Sequence, residues 1–313
     1  ARVAAVLEGI LIGPTAGIRM KSEGVLVVRL DEVESTDGKH CPAQEAGLRE
    51  GDIIVSADGQ AVASNDALQT VLAAADGGAV TLGVLRGSET LSLKASPCTD
   101  RTGALRLGIL ARDSMAGIGT LTYYDPATGQ YGALGHGITD VDTAQLMPLA
   151  SGSIMETTVK AVKKGRKGDP GELKGDFSVQ RDVGTVTVNS DGGIFGTVAD
   201  GEFLSGGTPV PVATAQQVKT GRATILATIS GSDTAEYQVE IVRLYGADEP
   251  TRNMLLRITD PRLLSATGGI VQGMSGSPIL QNGRIVGAVT HVLLNDPTRG
   301  YGIFIGNMLD MAG

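Results

Sequence analysis

Tryptophan is absent from this chain, aromatic residues make up only 3% of it, and cysteine occurs twice, as Cys41 and Cys98. Two cysteines exclude a dense disulfide framework and a four-cysteine zinc site. His40 beside Cys41 adds one more ligand type, but two ligands do not make a site, so the pair reads as an ordinary loop and no metal or cofactor is expected. Proline is scarce, with 12 residues against 45 glycines, a balance that favours short strands and tight turns over low-complexity disorder. No run of 18 or more apolar residues occurs, so nothing in the chain reads as a membrane-spanning helix. Any leader or anchor that the gene encodes is expected to precede Ala1. Basic residues are the minority, 26 against 34 acidic, leaving a formal charge of -8. That charge repels phosphate backbones, and no nucleic-acid partner is expected. The one basic cluster, Lys160, Lys163, Lys164, Arg166 and Lys167, adjoins Gly168-Asp169-Pro170 and reads as a solvated loop.

What is present is enough apolar side chain, 42% of 313 residues, for two packed cores. Gly24–Leu30 is a β-branched apolar run and reads as a buried strand followed by a polar loop over 31–42. Ala43–Leu48 forms one helical turn stopped by Gly47, and Glu50–Gln60 a strand closed by the Asp58-Gly59 turn. A helix follows over 65–75, capped by Ser64 or Asn65, with Leu68, Val71 and Leu72 on one face. Val80–Leu85 and Thr90–Lys94 complete a hairpin. The string PAQEAGLREGDIIVSADGQAV (42–62) strongly resembles the PDZ family. That resemblance implies a peptide strand added beside the helix, and backbone amides of a Φ-Gly-Φ loop, matched by Ala16-Gly17-Ile18, holding a carboxylate or carbonyl.

From Leu107 onward short strands alternate with Gly, Asp-Pro and Asn-Gly turns, the pattern of a barrel or sandwich. A hairpin turning at Asp125-Pro126-Ala127-Thr128-Gly129 runs into Gly135-His136-Gly137, so His136 stands at a strand end. Further on, Gly273-Met274-Ser275-Gly276-Ser277-Pro278 resembles the nucleophile signature of chymotrypsin-like peptidases. Its small residues allow a tight turn that aims the N–H groups of Gly273 and Ser275 at one spot, an oxyanion hole. A serine hydroxyl keeps its proton at neutral pH and needs an imidazole within reach. His40 lies in the first domain. His291 follows Ser275 by 16 positions on the strand leaving the nucleophile hairpin, and His136 precedes it by 139, where a first barrel would supply it, so His136 is the preferred base. An α/β-hydrolase elbow would want glycine at position 277 and a helix after it; Ser277 and the strand that follows disfavour that reading. Ser277 reads as a turn hydrogen-bonder.

The segments AGIGTLTYYDPATGQYGALGHGITDVDT (116–143) and RITDPRLLSATGGIVQGMSGSPILQNGRIVGAVTHVLLNDPTRGYGIFI (257–305) closely resemble the stage IV sporulation protein B peptidases of spore-forming bacteria. The resemblance implies a mostly β protein, a PDZ domain followed by a chymotrypsin-like double β-barrel with a Ser-His-Asp triad. Its nucleophile falls on Ser275, its base on His136 and its acid on Asp260. Asp140 and Asp142, close behind His136, are the competitors for the acid. The expected organisation is a lead-in over 1–8, a PDZ domain over 9–95, a linker over 96–107 and a peptidase domain over 108–313, in halves of roughly 108–205 and 206–313. The family implies a regulatory endopeptidase of sporulation signalling that cleaves itself and a membrane-bound regulator of an intramembrane protease. Its place is outside the cytoplasm, in the space between forespore and mother-cell membranes. Two other readings stand beside it: a periplasmic quality-control serine protease, and a PDZ adaptor whose barrel has lost its activity.

Overall fold

A computed structural model of the chain describes residues 8–11, 14–199, 209–246 and 249–312. The fold is mostly β. Its residues divide into two compact units, Met20–Met115 with Thr139–Ala150, and Ala1–Arg19 with Ala116–Ile138 and Ser151–Gly313. The units are therefore not consecutive blocks of sequence, unlike the expected division at 95 and 108. The expected lead-in lies outside the described residues except for Glu8, and so does the expected division between halves at 205 and 206.

In the first unit the apolar run starting at Gly24 pairs antiparallel with Ile53–Ala57 through Val25↔Ile54 and Leu26↔Ile53. Ile53–Ala57 pairs with Val80–Arg86, which forms the expected hairpin with Glu89–Ala95. The helix spans Asn65–Ala74, and Ser64 caps it by accepting from the Ala67 N–H at 3.1 Å. Its Leu68, Val71 and Leu72, at the i, i+3, i+4 spacing of one face, pack with Val25, Val27, Ile54, Leu82 and Leu107. Leu107 is 2% exposed, so the stretch expected as a linker contributes to this core. That stretch forms a small hairpin, Cys98–Thr99 with Leu105–Arg106. Cys41 and Cys98 are both free thiols.

The segment Thr139–Ala150 belongs to this unit and is anchored by acids. The Asp140 carboxylate, fully buried, accepts from the N–H of Asp142 and of Thr143 and from the Thr143 hydroxyl. It also forms an ion pair with Arg112, whose other nitrogen reaches Asp142 at 3.0 Å. Despite burial, these bonds hold the Asp140 carboxyl below its ordinary range.

In the second unit, Gly221–Thr228, Thr234–Leu244, Met254–Ile258, Pro278–Gln281, Arg284–Leu293 and Asp296–Phe304 close into a six-stranded antiparallel barrel. Alternation puts Ile225, Val239, Ile241, Leu256, Ile279 and Val289 inside it, and closure removes the exposed edges a sheet would otherwise offer. The helix Pro261–Thr267 follows the third barrel strand, with Pro261 at its start and Gly268 in the left-handed conformation at its end, the usual placement of these two residues. The earlier strands of the unit form an antiparallel sheet. In it Gln130–Ala133 lies between Ile109–Tyr124 and Gly193–Val198, and Glu172–Ser190 pairs with Gly193–Val198 and Ser151–Lys163. Among the described residues no helix is long and apolar enough to cross a membrane.

Candidate functional site

The Gly-Met-Ser-Gly-Ser-Pro segment makes a tight turn between the helix and barrel strand Pro278–Gln281. Met274 N–H donates to Val271 O and Ser277 N–H to Met274 O, at 3.1 and 3.0 Å. The turn is fastened to the strand Ile109–Tyr124 at three points. Thr120 N–H donates to Ser275 O at 2.9 Å, the Thr120 hydroxyl to Gly273 O at 3.0 Å, and the Thr122 hydroxyl to Gly276 O at 2.8 Å. Gly276, at φ +92°, allows this: a Cβ there would lie 2.0 Å from Thr120 O and 2.5 Å from Leu134 N. No side chain fits such a gap.

The histidine segment is tied to the same strand. Leu134 N–H donates to Thr120 O at 3.2 Å, the same carbonyl that Gly276 lies against. Leu134 itself sits at φ +69°, a region that costs a branched residue strain and that gathers at functional sites. Beyond His136 the chain is clamped by Asn189, whose side-chain oxygen accepts from Ile138 N–H at 2.8 Å while its amide donates to Ile138 O at 3.0 Å. Two stretches 139 positions apart in sequence thus meet on one strand.

The geometry at their junction is specific. His136 Nδ1 lies 2.8 Å from Gly137 O. A carbonyl oxygen can only accept, so Nδ1 carries the proton and Nε2 keeps its lone pair, the tautomer a general base needs. Burial pushes the His136 pKa below its ordinary value. Ser275 Oγ donates to Thr290 O at 2.7 Å and is not bonded to the imidazole. His291, next in chain to Thr290, places its ring 4.6 Å from that of His136, tilted by 36°. The residue is exposed at the surface; partial desolvation of its ring, then the neighbouring His136, then Arg252 lower its pKa to about 4, so both rings are neutral at pH 7. The N–H groups of Gly273 and Ser275 have no acceptor among the described residues.

The acids stand elsewhere. Asp260 caps the helix Pro261–Thr267: its carboxylate accepts from Arg262 N–H at 2.9 Å and from Gln238 N–H at 3.2 Å, and pairs with the Arg262 guanidinium at 2.8 Å. The Arg262 bonds hold its carboxyl well below the usual range. Asp140 and Asp142 are engaged with Arg112. Among the described residues no carboxylate bonds to His136, and the bond that orients its ring is made by Gly137 O. Ser277 is fully buried, and its hydroxyl has no hydrogen-bond partner, contrary to the expected turn bond. His40, at the end of the short strand Gly38–His40 that pairs with Val33–Ser35, faces Asp37 with Nε2 at 3.2 Å, and no group of three or more His, Cys, Asp or Glu among the described residues is gathered to hold a metal.

The peptide loop expected at Ala16-Gly17-Ile18 is a correction: these residues lie inside the strand Thr15–Leu30, with Ala16 fully buried and Ile18 3% exposed. An extended, covered strand has no convergent amides to offer. A second Φ-Gly-Φ tripeptide, Leu107-Gly108-Ile109, does stand beside the helix. Gly108 is at φ +75°, and a Cβ there would lie 2.4 Å from Asp31 O. Its carbonyl accepts from Asp31 N–H at 2.9 Å, and Leu105 O accepts from the Gln69 side chain at 2.9 Å. Between this segment and the helix runs a groove of about 500 Å³ lined by Leu68, Leu72, Leu107, Ile109, Ala111 and Arg106. Ile109 and Ala111, two residues apart in the strand Ile109–Tyr124, share one of its faces. The sequence signal was the tripeptide itself, hidden in a stretch that reads as linker.

The family model for SpoIVB peptidase S55 matches residues 103–309. The chain belongs to the SpoIVB peptidase S55 family. A PDZ-domain model matches residues 38–86. This member of the S55 family is thus a serine endopeptidase with a PDZ domain, acting on protein or peptide substrates. None of the curated proteins matches it. Among solved structures, the Rv3671c protease of M. tuberculosis in an inactive form is 18% identical, with 63% of this chain and 82% of that one covered at a TM-score of 0.33. Its active form is 17% identical, covering 64% and 73% at the same TM-score.

Proposed function

We propose that Ser275 is the nucleophile of this endopeptidase, His136 its general base, and the N–H groups of Gly273 and Ser275 its oxyanion hole. The observation that supports this best is the tautomer of His136: a backbone carbonyl occupies Nδ1, and the basic Nε2 belongs to a segment held on the strand that also holds the serine turn. In the reaction the Ser275 hydroxyl turns from Thr290 O to His136 Nε2 and gives it the proton as Oγ attacks the scissile carbonyl. The oxyanion is received by the two free amides, His136 returns its proton to the leaving amine, and water repeats the sequence to release the acyl group. Asp260, the acid that the family resemblance assigns, acts in this reading through the barrel: it holds the helix that leads into the serine turn.

We further infer a regulatory role in sporulation signalling, with cleavage of the chain itself and of a membrane-bound regulator in the space between the forespore and mother-cell membranes. Membership of the S55 family and the PDZ domain support it, since a groove beside a helix suits recognition of a chain terminus or loop before cleavage. A fluorophosphonate probe labelling Ser275 in the wild type and not in His136→Ala, with cleavage of the regulator's exposed part, is the expected result. Rapid degradation of unfolded casein instead would favour a quality-control protease. One observation favours the silent adaptor, the capture of Ser275 Oγ by Thr290 O. No labelling, with peptide binding intact in Ser275→Ala, would establish it.

A further inference from the structure

The base assignment leaves a mechanical question. The bond from His136 Nδ1 to Gly137 O fixes the direction of one ring nitrogen, but one hydrogen bond fixes a line and not a plane. The covalent tether at Cγ lies off that line, so the freedom that remains is a coupled rotation of χ1 and χ2, and that rotation carries Nε2 away from any serine. Gly135, in the left-handed conformation just before it, offers no side chain to stop the motion. Something else must hold the plane.

The group placed to do so is His291. It stands near the end of barrel strand Arg284–Leu293, past the stretch paired with Pro278–Gln281, where the pairing with Asp296–Phe304 shifts register between Val289 and Val292. A Cβ at Gly300 on that neighbouring strand would lie 2.5 Å from His291 O, so the backbone carrying His291 is closely packed. Its ring meets that of His136 with centroids 4.6 Å apart, within contact range for aromatic pairs. The residue before it, Thr290, is the one whose carbonyl takes the Ser275 hydroxyl. One strand therefore touches both members of the Ser275–His136 pair.

We propose that His291 is a positioning residue for the peptidase reaction: its ring, packed against that of His136, fixes the plane in which Nε2 is offered to Ser275 and keeps water from that face. This rests on the assignment of His136 as base. Among the described residues Arg252 is the charged side chain that bears on the pair, through its repulsion of a protonated His291. Both rings are neutral at working pH, so neither repels the other.

Two readouts test this. Imidazole NMR follows the titration of His136 whatever Ser275 does, and the pH profile of fluorophosphonate reaction follows the base at work. Removing the ring in His291→Ala lets water reach His136, which raises the His136 pKa. The expected result is a His136 midpoint higher by at least about half a pH unit, an acid limb displaced equally, and a plateau rate about tenfold lower. His291→Phe keeps the packing and retains most of the plateau rate. An unchanged midpoint and rate in His291→Ala, or a Phe variant as impaired as Ala, overturns the proposal. If His291→Ala does not fold, His291→Gln replaces it, and equality of Gln with Phe overturns the proposal. A midpoint that moves in a protein whose wild type never reacts with the probe supports the packing role and overturns the catalytic assignment instead.

Discussion

Replacing Gly276 with alanine probes the junction on which the site depends. At φ +92° any Cβ is strained, and here it would lie 2.0 Å from Thr120 O, an overlap that backbone must move to relieve. The left-handed conformation alone costs about 1–2 kcal/mol. Displacing Thr120 O endangers two bonds, Thr120 N–H to Ser275 O and Leu134 N–H to Thr120 O, each worth about 0.5–1.5 kcal/mol. The expected loss is thus about 2–5 kcal/mol of local stability. Amide hydrogen exchange at Thr120 and Leu134 reads that loss directly, because local opening governs exchange there. At the lower end, protection falls by about 30-fold, and fluorophosphonate labelling of Ser275 falls with it. Protection within a factor of two of wild type, with labelling unchanged, would refute the claim that the serine and histidine segments are locked through Thr120.

Ser275→Ala and His136→Ala each reduce probe reaction by about 10³-fold or more, and the double variant is no slower than either, since the two act as a unit. Burial lowers the His136 pKa, so the base stays neutral below the ordinary midpoint of about 6.5 and the acid limb of kcat/KM, measured from pH 4 to 8, falls below that value. Asp260→Ala loses a helix cap and its ion pair with Arg262, costing about 1–2 kcal/mol in urea unfolding. The Asp260 pKa is depressed in the folded chain, so this contribution is present above the unfolded carboxylate value of about 4 and is lost as pH falls below it; the gap between variant and wild type narrows in acid. Ile109→Ser removes one apolar wall of the groove beside the helix and weakens peptide binding about tenfold in titration calorimetry, from roughly 1.5 kcal/mol of lost apolar contact.

The features legible in the sequence are those written in neighbouring residues. Ser64 declared the start of the helix, Asp125 to Gly129 the turn before the histidine, and Gly273 to Pro278 the tight turn around Ser275. Each is a local rule about caps, turns or small residues. The residues that escaped notice act across long separations. Asn189 clamps Ile138 from 51 positions away, and Thr120 and Thr122 hold a turn more than 150 positions on. Antiparallel register decides such meetings, and a one-residue slip would send every side chain to the other face. His291 was legible as a rival to His136 but not as its neighbour, because spacing along a chain says nothing about which rings meet in a barrel. The tripeptide Leu107-Gly108-Ile109 was hidden for a different reason: it follows the last strand of an apparently complete domain, and the equally plausible Ala16-Gly17-Ile18 stood where the pattern called for it.

The missing contact between His136 and a carboxylate bears on how strong a catalyst this arrangement is. A carboxylate does two things for an imidazole: it selects the tautomer, and it stabilises the positive charge formed when the base takes the serine proton. Gly137 O does the first as well as any carboxylate, since it accepts the same proton at 2.8 Å. It does the second only weakly, because a carbonyl is a dipole and not an ion. The neutral, buried His136 therefore meets a higher electrostatic cost on protonation than it would beside an ion, which is the sense of its lowered pKa. Together with a serine hydroxyl already satisfied by Thr290 O, this describes, on the proposed assignment, a resting site with its tautomer set and its nucleophile withheld. Moving Oγ from one acceptor to the other exchanges one hydrogen bond for another at a net cost of only about 1 kcal/mol. Substrate contacts at the two free amides can therefore supply what is needed to turn the hydroxyl toward its base.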